Sequence, residues 1–213
     1  MQRWHQLTLY LTLILILGPG DLWADPSPKL PDLFKPLVPP GYELRSPVTA
    51  RQGHMATLSF EASKPLQGRH SLYFSEFHLD LMIKAAPDQA MRQLIQRQAS
   101  AYRAQYEQEV AAALEHRRQS RSDAVTAYDP PESTRYDWGV GITQRVIHKF
   151  IGAGKAPDEI EYSCIYLGFT SDPNAIKKFK LSVSGVETRQ EADRWATQAA
   201  EATQKTSLND IDH

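Results

Sequence analysis

Residues 72–95, LYFSEFHLDLMIKAAPDQAMRQLI, change their hydrophobic period midway, and this change decides the fold. Up to Ile83 apolar residues alternate with polar ones, which predicts a strand with one buried face and one polar face. From Pro87 onward the apolar residues recur every three or four positions. This spacing predicts an amphipathic helix that begins near this proline and continues to about Gln119.

The same two periods recur along the rest of the chain. Alternation predicts four further strands, over residues 56–62, 138–150, 160–169 and 179–183. Short turns join the last three, which predicts an antiparallel meander. A capping box from Thr188 to Glu191 predicts a closing helix anchored by Trp195. We therefore expect an α+β fold, with an antiparallel sheet of about five strands packed with one long amphipathic helix and a C-terminal helix.

Composition excludes several classes of protein. The chain has 213 residues, of which 41% are hydrophobic, as in an ordinary globular protein. Lys and Arg total 24 against 25 Asp and Glu, so the chain carries no broad basic field and we expect no nucleic-acid partner. Cys164 is the single cysteine, which excludes an intramolecular disulfide and a four-cysteine zinc site.

The first 24 residues have the layout of a secretory signal. Arg3 precedes an apolar run of 11 residues from Leu7 to Leu17, which is too short to span a bilayer. We expect cleavage after Ala24, which would leave no transmembrane span. Cleavage after Gly20 and an uncleaved leader that acts as an interfacial anchor are the alternatives. The protein is thus expected to be exported, either periplasmic or secreted.

The mature chain divides by composition into three parts. Residues 25–47 contain seven prolines and form a stiff Pro-rich segment, residues 48–204 form a single α+β domain, and residues 205–213 form a tail. The apolar residues among the prolines fit either docking on a partner or a strap across the domain itself. A polar stretch at 120–135 is expected to be a long loop. We expect a protein partner in the cell envelope, bound through the Pro-rich segment or this loop.

One strand carries a candidate metal site. Glu76, His78 and Asp80 alternate along it, so they share a face at a spacing of roughly 6.5–7 Å. With His148 from another strand, they include enough ligands for a zinc ion with an open position. The alternative is that the first three residues form the solvated face of the sheet, and that His148 is a core histidine.

Other candidate chemistry is weakly marked. Cys164 shares its strand face with apolar and aromatic residues, which favours a buried, inert thiol over a nucleophile. The chain contains neither G-x-S-x-G nor H-E-x-x-H, so the catalytic residues are unknown and we expect no cofactor. On the long helix, Arg92, Arg97 and Arg103 are expected to form a solvated face, or else to contact an anionic lipid or glycan.

The order of elements from Met55 to Gln204 resembles the PsbP type of accessory protein from the periplasm and thylakoid lumen. Those proteins have an antiparallel sheet between helices and end in a strand followed by a helix. The resemblance concerns topology, so it implies a binding or assembly role and no site residues. The sequence therefore predicts an exported, non-enzymatic binding or assembly-accessory domain. The alternative is a small metal-dependent hydrolase that uses the strand face of Glu76, His78 and Asp80.

Overall fold

A computed structural model describes most of the chain from residue 29 onward. The described residues are 29–38, 40–45, 47–52, 55–65, 72–83, 87–119, 124–150, 158–172 and 175–207. The predicted leader, the first residues of the Pro-rich segment and most of the predicted C-terminal tail lie outside them.

The described residues form one sheet of nine strands, two long helices and a short 3-10 helix. The strands are β1 (Glu43–Leu44), β2 (Val48–Gln52), β3 (Met55–Pro65), β4 (Leu72–Ile83), β5 (Ala124–Tyr128), β6 (Glu132–Tyr136), β7 (Gly139–Phe150), β8 (Glu159–Ser171) and β9 (Ala175–Val186). The helices are the 3-10 helix (Asp32–Leu37), α1 (Asp88–Gln119) and α2 (Arg189–Lys205).

Five long strands form the centre of the sheet in the order β3-β4-β9-β8-β7, and every pair is antiparallel. These are the strands that alternation predicts, so the α+β class is confirmed. The expected number of about five is wrong, because β1 and β2 both pair with the outer side of β3, and β5 and β6 both pair with β7. Strands of two to five residues carry too little alternation to be recognised in a sequence.

The predicted loop over 120–135 is also wrong for most of its length. Residues 124–128 form β5 and residues 132–136 form β6, joined by a short connection that contains Pro130 and Pro131. Their backbone groups pair with β7, which satisfies them even though the stretch is polar. The first residues of the predicted loop, 120–123, lie outside the described residues.

Helix α2 covers β8 and β9 on one face of the sheet. Its buried side is built mainly of alanines, among them Ala192, Ala196 and Ala199, which are 0% exposed and allow the helix backbone to lie close to the strands. Thr188 caps its start by accepting a hydrogen bond from the Glu191 backbone N–H, as the sequence predicts. Helix α2 is therefore packed against the sheet through small residues, and its first turn is capped.

The Pro-rich segment lies across its own domain on this same face. We call residues 29–38 the strap; its Leu30, Phe34 and Leu37 are buried in the core that α2 also covers. The Phe34 ring lies 5.4 Å from that of Phe77 on β4, measured between centroids. Of the two alternatives left open by the sequence, the described part of the segment is thus a strap, and these side chains are not exposed to a partner.

Helix α1 covers the opposite face incompletely. It contacts β5, β7 and β8, and it buries Met91, Ile95, Ala99 and Tyr106. Farther along the predicted apolar stripe, Leu114 is 54% exposed. Most side chains on the part of this face formed by β3, β4 and β9 are polar, although Met82 and Ile176 pack into the core beneath α1. One face of the sheet is thus sealed and the other is only half covered.

Two glycines make room for an aromatic cluster between the sheet and α2. A Cβ on Gly168 would lie 2.4 Å from the Phe179 ring, and one on Gly141 would lie 2.8 Å from the Tyr166 ring. The rings of Tyr136 and Trp138 stack at 4.5 Å beside them. Glycine at these positions permits the close approach of aromatic side chains to the strand backbone.

Candidate functional site

The residues of the predicted metal site lie on the uncovered part of the α1 face. Glu76, His78 and Asp80 follow one another along β4, and His78 Nε2 lies 2.9 Å from Asp80 Oδ1. Antiparallel pairing sets His78 opposite Lys180 and Asp80 opposite Lys178 on β9. The three predicted residues thus share a face, and lysines stand directly beside them.

Both carboxylates form ion pairs with these lysines. Lys180 Nζ donates to Glu76 Oε2 at 3.2 Å, and Lys178 Nζ lies 3.0 Å from Asp80 Oδ2. Burial by itself would raise the pKa of Asp80, but hydrogen bonds from His78 and Lys178 outweigh it, so the pKa lies below its usual value. We call these five residues the charge ladder. A cation would have to compete with two ammonium groups for the same oxygens.

His148 does not join the charge ladder. It lies on β7, and β9 and β8 stand between that strand and β4. Its Nε2 is 3.1 Å from Glu161 Oε1 and its Nδ1 is 3.2 Å from the Thr126 hydroxyl. Among the described residues, no three or more His, Cys, Asp or Glu side chains are grouped so that they could hold one metal ion.

Cys164 is fully buried on β8, in the core beneath α2. Burial raises the pKa of its thiol to about 11, and a smaller contribution from the Asp193 charge acts in the same direction. Because the thiolate is the nucleophile, a thiol with this pKa in a closed core is unreactive near neutral pH. The expectation that Cys164 is buried is confirmed.

A groove opens between α1 and the edge of the sheet formed by β6 and β7. Its volume is about 520 Å³, within the range of ligand-binding pockets. We call it the arginine groove, and it is lined by Arg92, Ile95, Gln96, Ala99, Ser100 and Arg103 of α1 and by Ser133, Arg135, Tyr136, Gly139, Val140 and Phe169 of the sheet.

The lining combines positive charge with an apolar floor. It contains three arginines and no acidic residue, although the whole chain has a net charge of -1. The Arg92 guanidinium lies 5.3 Å from the centre of the Phe169 ring, and Arg103 Nε lies 3.0 Å from Glu107 on the same helix. Among the described residues, Arg135 has no ion-pair partner. The groove is therefore suited to a group that is anionic and partly apolar.

The β6 wall of the groove is held from the other side of the sheet. Tyr136 and Tyr166 both donate to Asp193 Oδ1 on α2, at 2.6 and 2.8 Å. Arg189 of α2 also donates to Glu132 at 3.0 Å and contacts Thr134. Burial, reinforced by Asp193, raises the pKa of Tyr136 to about 12. A neutral Tyr136 on the α2 face thus helps to fix the strand that forms this wall.

The described lining of the groove contains none of the side chains that most often act as a general base near neutral pH. Its lining has no His, Cys, Asp or Glu, and the Ser100 hydroxyl donates to a backbone carbonyl at 3.0 Å. A serine nucleophile needs an adjacent base, and none lines this surface. The arrangement can bind and orient an anion, but it offers no side chain for general acid–base chemistry.

The sequence predicts part of the lining of this groove, but it does not predict a binding site there. Arg92 and Arg103 were identified as a cationic helix face that contacts solvent or an anion, whereas Arg135 was not singled out. A signal exists, because residues 92, 96, 99 and 103 share one side of a helix and Ser133 and Arg135 share one side of a strand. Local periodicity does not reveal that these two segments lie side by side.

Within the part of the chain that the structure describes, neither helix combines the length and the hydropathy that a bilayer crossing requires. The chain matches no known protein family, and no curated protein and no solved structure match it. The resemblance to the PsbP type therefore gains no support from these comparisons, and function is argued from the chain's own chemistry.

Proposed function

We propose that this protein is an exported, non-enzymatic domain that binds a partner protein in the cell envelope, and that the arginine groove is its binding surface. One observation carries the proposal: three arginines surround an apolar floor that contains no acidic residue. A surface like this favours a complementary negative group over solvent, because guanidinium groups pair with carboxylates in fixed geometry.

The chemistry of the groove favours a protein partner. Arginines and aromatic residues are enriched at the energetic centres of protein interfaces, and Arg92, Arg135 and Phe169 bring both kinds to one surface. The cationic groove on a nearly neutral chain gives local charge complementarity without a broad attraction for nucleic acid. A binding role also agrees with the lack of acid–base groups in the lining.

Export is supported by the sequence of residues 1–24, with its basic start, apolar run and cleavage position. N-terminal sequencing of the protein recovered from the medium or periplasm tests it. We expect the first residue to be Asp25. An intact Met1 on membrane-bound protein would instead identify the leader as an anchor.

Capture from envelope extract tests the binding role. The mature chain from Asp25 is compared with R135E and with R97E, which makes the same charge change on α1 outside the groove lining. We expect one protein to be retained by the mature chain and by R97E and lost with R135E. Equal capture by all three, followed by equal affinity for the purified protein, would exclude the groove.

An acid–base hydrolase is the second candidate, because His78 Nε2 and Asp80 Oδ1 lie 2.9 Å apart and a carboxylate orients an imidazole in this way. The version with a metal would use Glu76, His78 and Asp80, because His148 lies on a distant strand. Stoichiometric zinc in purified protein that is lost in His78→Ala, or ester hydrolysis abolished by the same change, would favour the enzyme. Metal-free, inactive protein would count against it.

A further inference from the structure

Strand β6 borders the arginine groove and forms the outer edge of the sheet there. It pairs with β7 on one side, and no described strand pairs with its other side. An edge strand has unpaired backbone N–H and C=O groups that another extended chain can use. The groove therefore combines a positively charged surface with a backbone edge.

Side chains of β6 alternate between two different roles. Ser133 and Arg135 line the groove, whereas Glu132 and Thr134 contact Arg189 of α2. Contacts to Arg189 hold the strand in place and leave its groove-facing residues exposed. An edge that is already held straight costs less conformational entropy when a further strand pairs with it.

We propose that the arginine groove accepts an extended segment of the partner in which every second residue is acidic, and that this segment adds to β6 as a further strand. This inference rests on the proposed function and names the chemistry of the partner. Alternate side chains of an added strand point to the same side of the sheet. Acidic residues on that side would face Arg92, Arg103 and Arg135.

Several features of the groove favour an extended peptide over a small anion. Its arginines come from two elements, with Arg92 and Arg103 about three turns apart on α1 and Arg135 across from them on β6. Cations distributed in this way match several carboxylates along a segment better than one anionic head. The free edge of β6 provides backbone pairing, which a small molecule would leave unused.

A synthetic probe tests the chemistry directly. A fluorescein-labelled peptide of about ten residues that alternates Glu with Val is titrated with the mature chain, and fluorescence anisotropy reports the Kd. We expect at least about tenfold weaker binding when Lys replaces Glu, and a similar loss with R135E, because charge-assisted hydrogen bonds are lost. R97E should bind like the unchanged protein. Failure of the Glu–Val peptide to bind would overturn the inference.

Backbone methylation tests the strand. Two further peptides carry N-methyl groups either on the odd or on the even amides, because only one of these sets faces β6 in an added strand. We expect one set to weaken binding by about tenfold or more and the other to change it little. Equal affinity of the two methylated peptides would exclude strand addition, while binding that still depends on Arg135 would keep the groove as the site.

Binding of a small anion in the groove, instead of an extended segment, can be distinguished from both proposals. Laurate, a single-headed carboxylate with an alkyl chain, is titrated against the mature chain and R135E. Binding of laurate that depends on Arg135, together with no binding of the Glu–Val peptide, would overturn the extended segment and retain an anion site. If neither probe binds and R135E leaves capture from envelope extract unchanged, the proposed function fails as well.

Discussion

The α2 face of the sheet and the α1 face differ in how completely they are covered. On the α2 face, the strap and an alanine-rich helix together enclose a core in which Phe34, Phe77 and Ala196 are 0% exposed. On the α1 face, one helix covers β5, β7 and β8, and the remainder carries the charge ladder and the arginine groove. The comparison teaches that one layer encloses most of the buried core, while the other leaves charged side chains exposed at the surface.

Truncating matched leucines on the two faces should give the largest contrast. Leu37→Ala removes a side chain that is 2% exposed, and we expect it to lower the free energy of unfolding by about 2–5 kcal/mol. Leu114→Ala removes one that is 54% exposed, and we expect a change within about 0.5 kcal/mol. Urea denaturation measures both. Equal losses would break the comparison.

Adding one methyl group to the sealed face should destabilise the protein less than Leu37→Ala does, but still by a measurable amount. In Gly168→Ala the new Cβ would meet the Phe179 ring at 2.4 Å, and we expect a loss of about 1–3 kcal/mol from overpacking. Combining it with Phe179→Leu provides the control, because the smaller side chain makes room. We expect the double variant to lose less than the sum of the two single variants. Simple additivity would show that the clash is not the cause.

The polar network behind β6 should respond to alkali. The pKa of Tyr136 is raised to about 12, so its neutral form stabilises the folded protein fully below the unfolded pKa of about 10. This contribution is lost as the pH rises from 10 towards 12. Asp193→Ala should lower the pKa of Tyr136 and so narrow the pH range over which this stability is lost. It also leaves the phenol groups of Tyr136 and Tyr166 without their acceptor, which should lower the free energy of unfolding by about 1–2 kcal/mol at neutral pH. Urea denaturation at several pH values measures this, and an unchanged alkaline slope would contradict it.

The stability that the charge ladder on the half-covered face contributes should fall in acid, and this is the smallest of the expected effects. The pKa of Asp80 is lowered, so its stabilising contribution is present above the unfolded pKa of about 3.9 and is lost as the pH falls through the folded value. Asp80→Asn should remove this acid dependence at a cost of about 1 kcal/mol or less at neutral pH. Glu201→Gln, at an exposed position on α2, serves as the matched control. The same acid slope in both variants would exclude Asp80 as its source.

The same comparison explains what sequence could predict. Long strands and helices can be predicted from the periodicity of their hydrophobic residues. Strand β4, helix α1 and the cap of α2 are accordingly found where alternation, helical spacing and the capping box predict them. Strands β1, β2, β5 and β6 are stabilised by their neighbours in the sheet, and nothing in so short a stretch distinguishes them from loops. Local pattern is thus sufficient for the core and insufficient for the edges.

The candidate site residues show the same limit: the pattern within one strand predicts which side chains share a face, but not which side chains of other elements lie beside them. Glu76, His78 and Asp80 share a strand face, as alternation predicts, but the lysines that pair with their carboxylates come from β9, and His148 comes from a distant strand. The arginine groove likewise joins segments that are far apart in the chain. Pairing between elements is a property of topology, so a pattern within one element does not reveal it.

The contact between the strap and α2 also sets the order in which the molecule can be completed. The strap precedes α2 by about 150 residues, yet they share one core, and just beyond the strap the Tyr42 ring lies 5.9 Å from that of Trp195. A chain emerges from the ribosome with its N-terminal part first. The strap must therefore wait for the last helix before its apolar residues have their full cover. Completion of this core is in this way tied to the synthesis of α2, and a product that stops before Arg189 would expose Phe34 and Leu37 to proteases and chaperones.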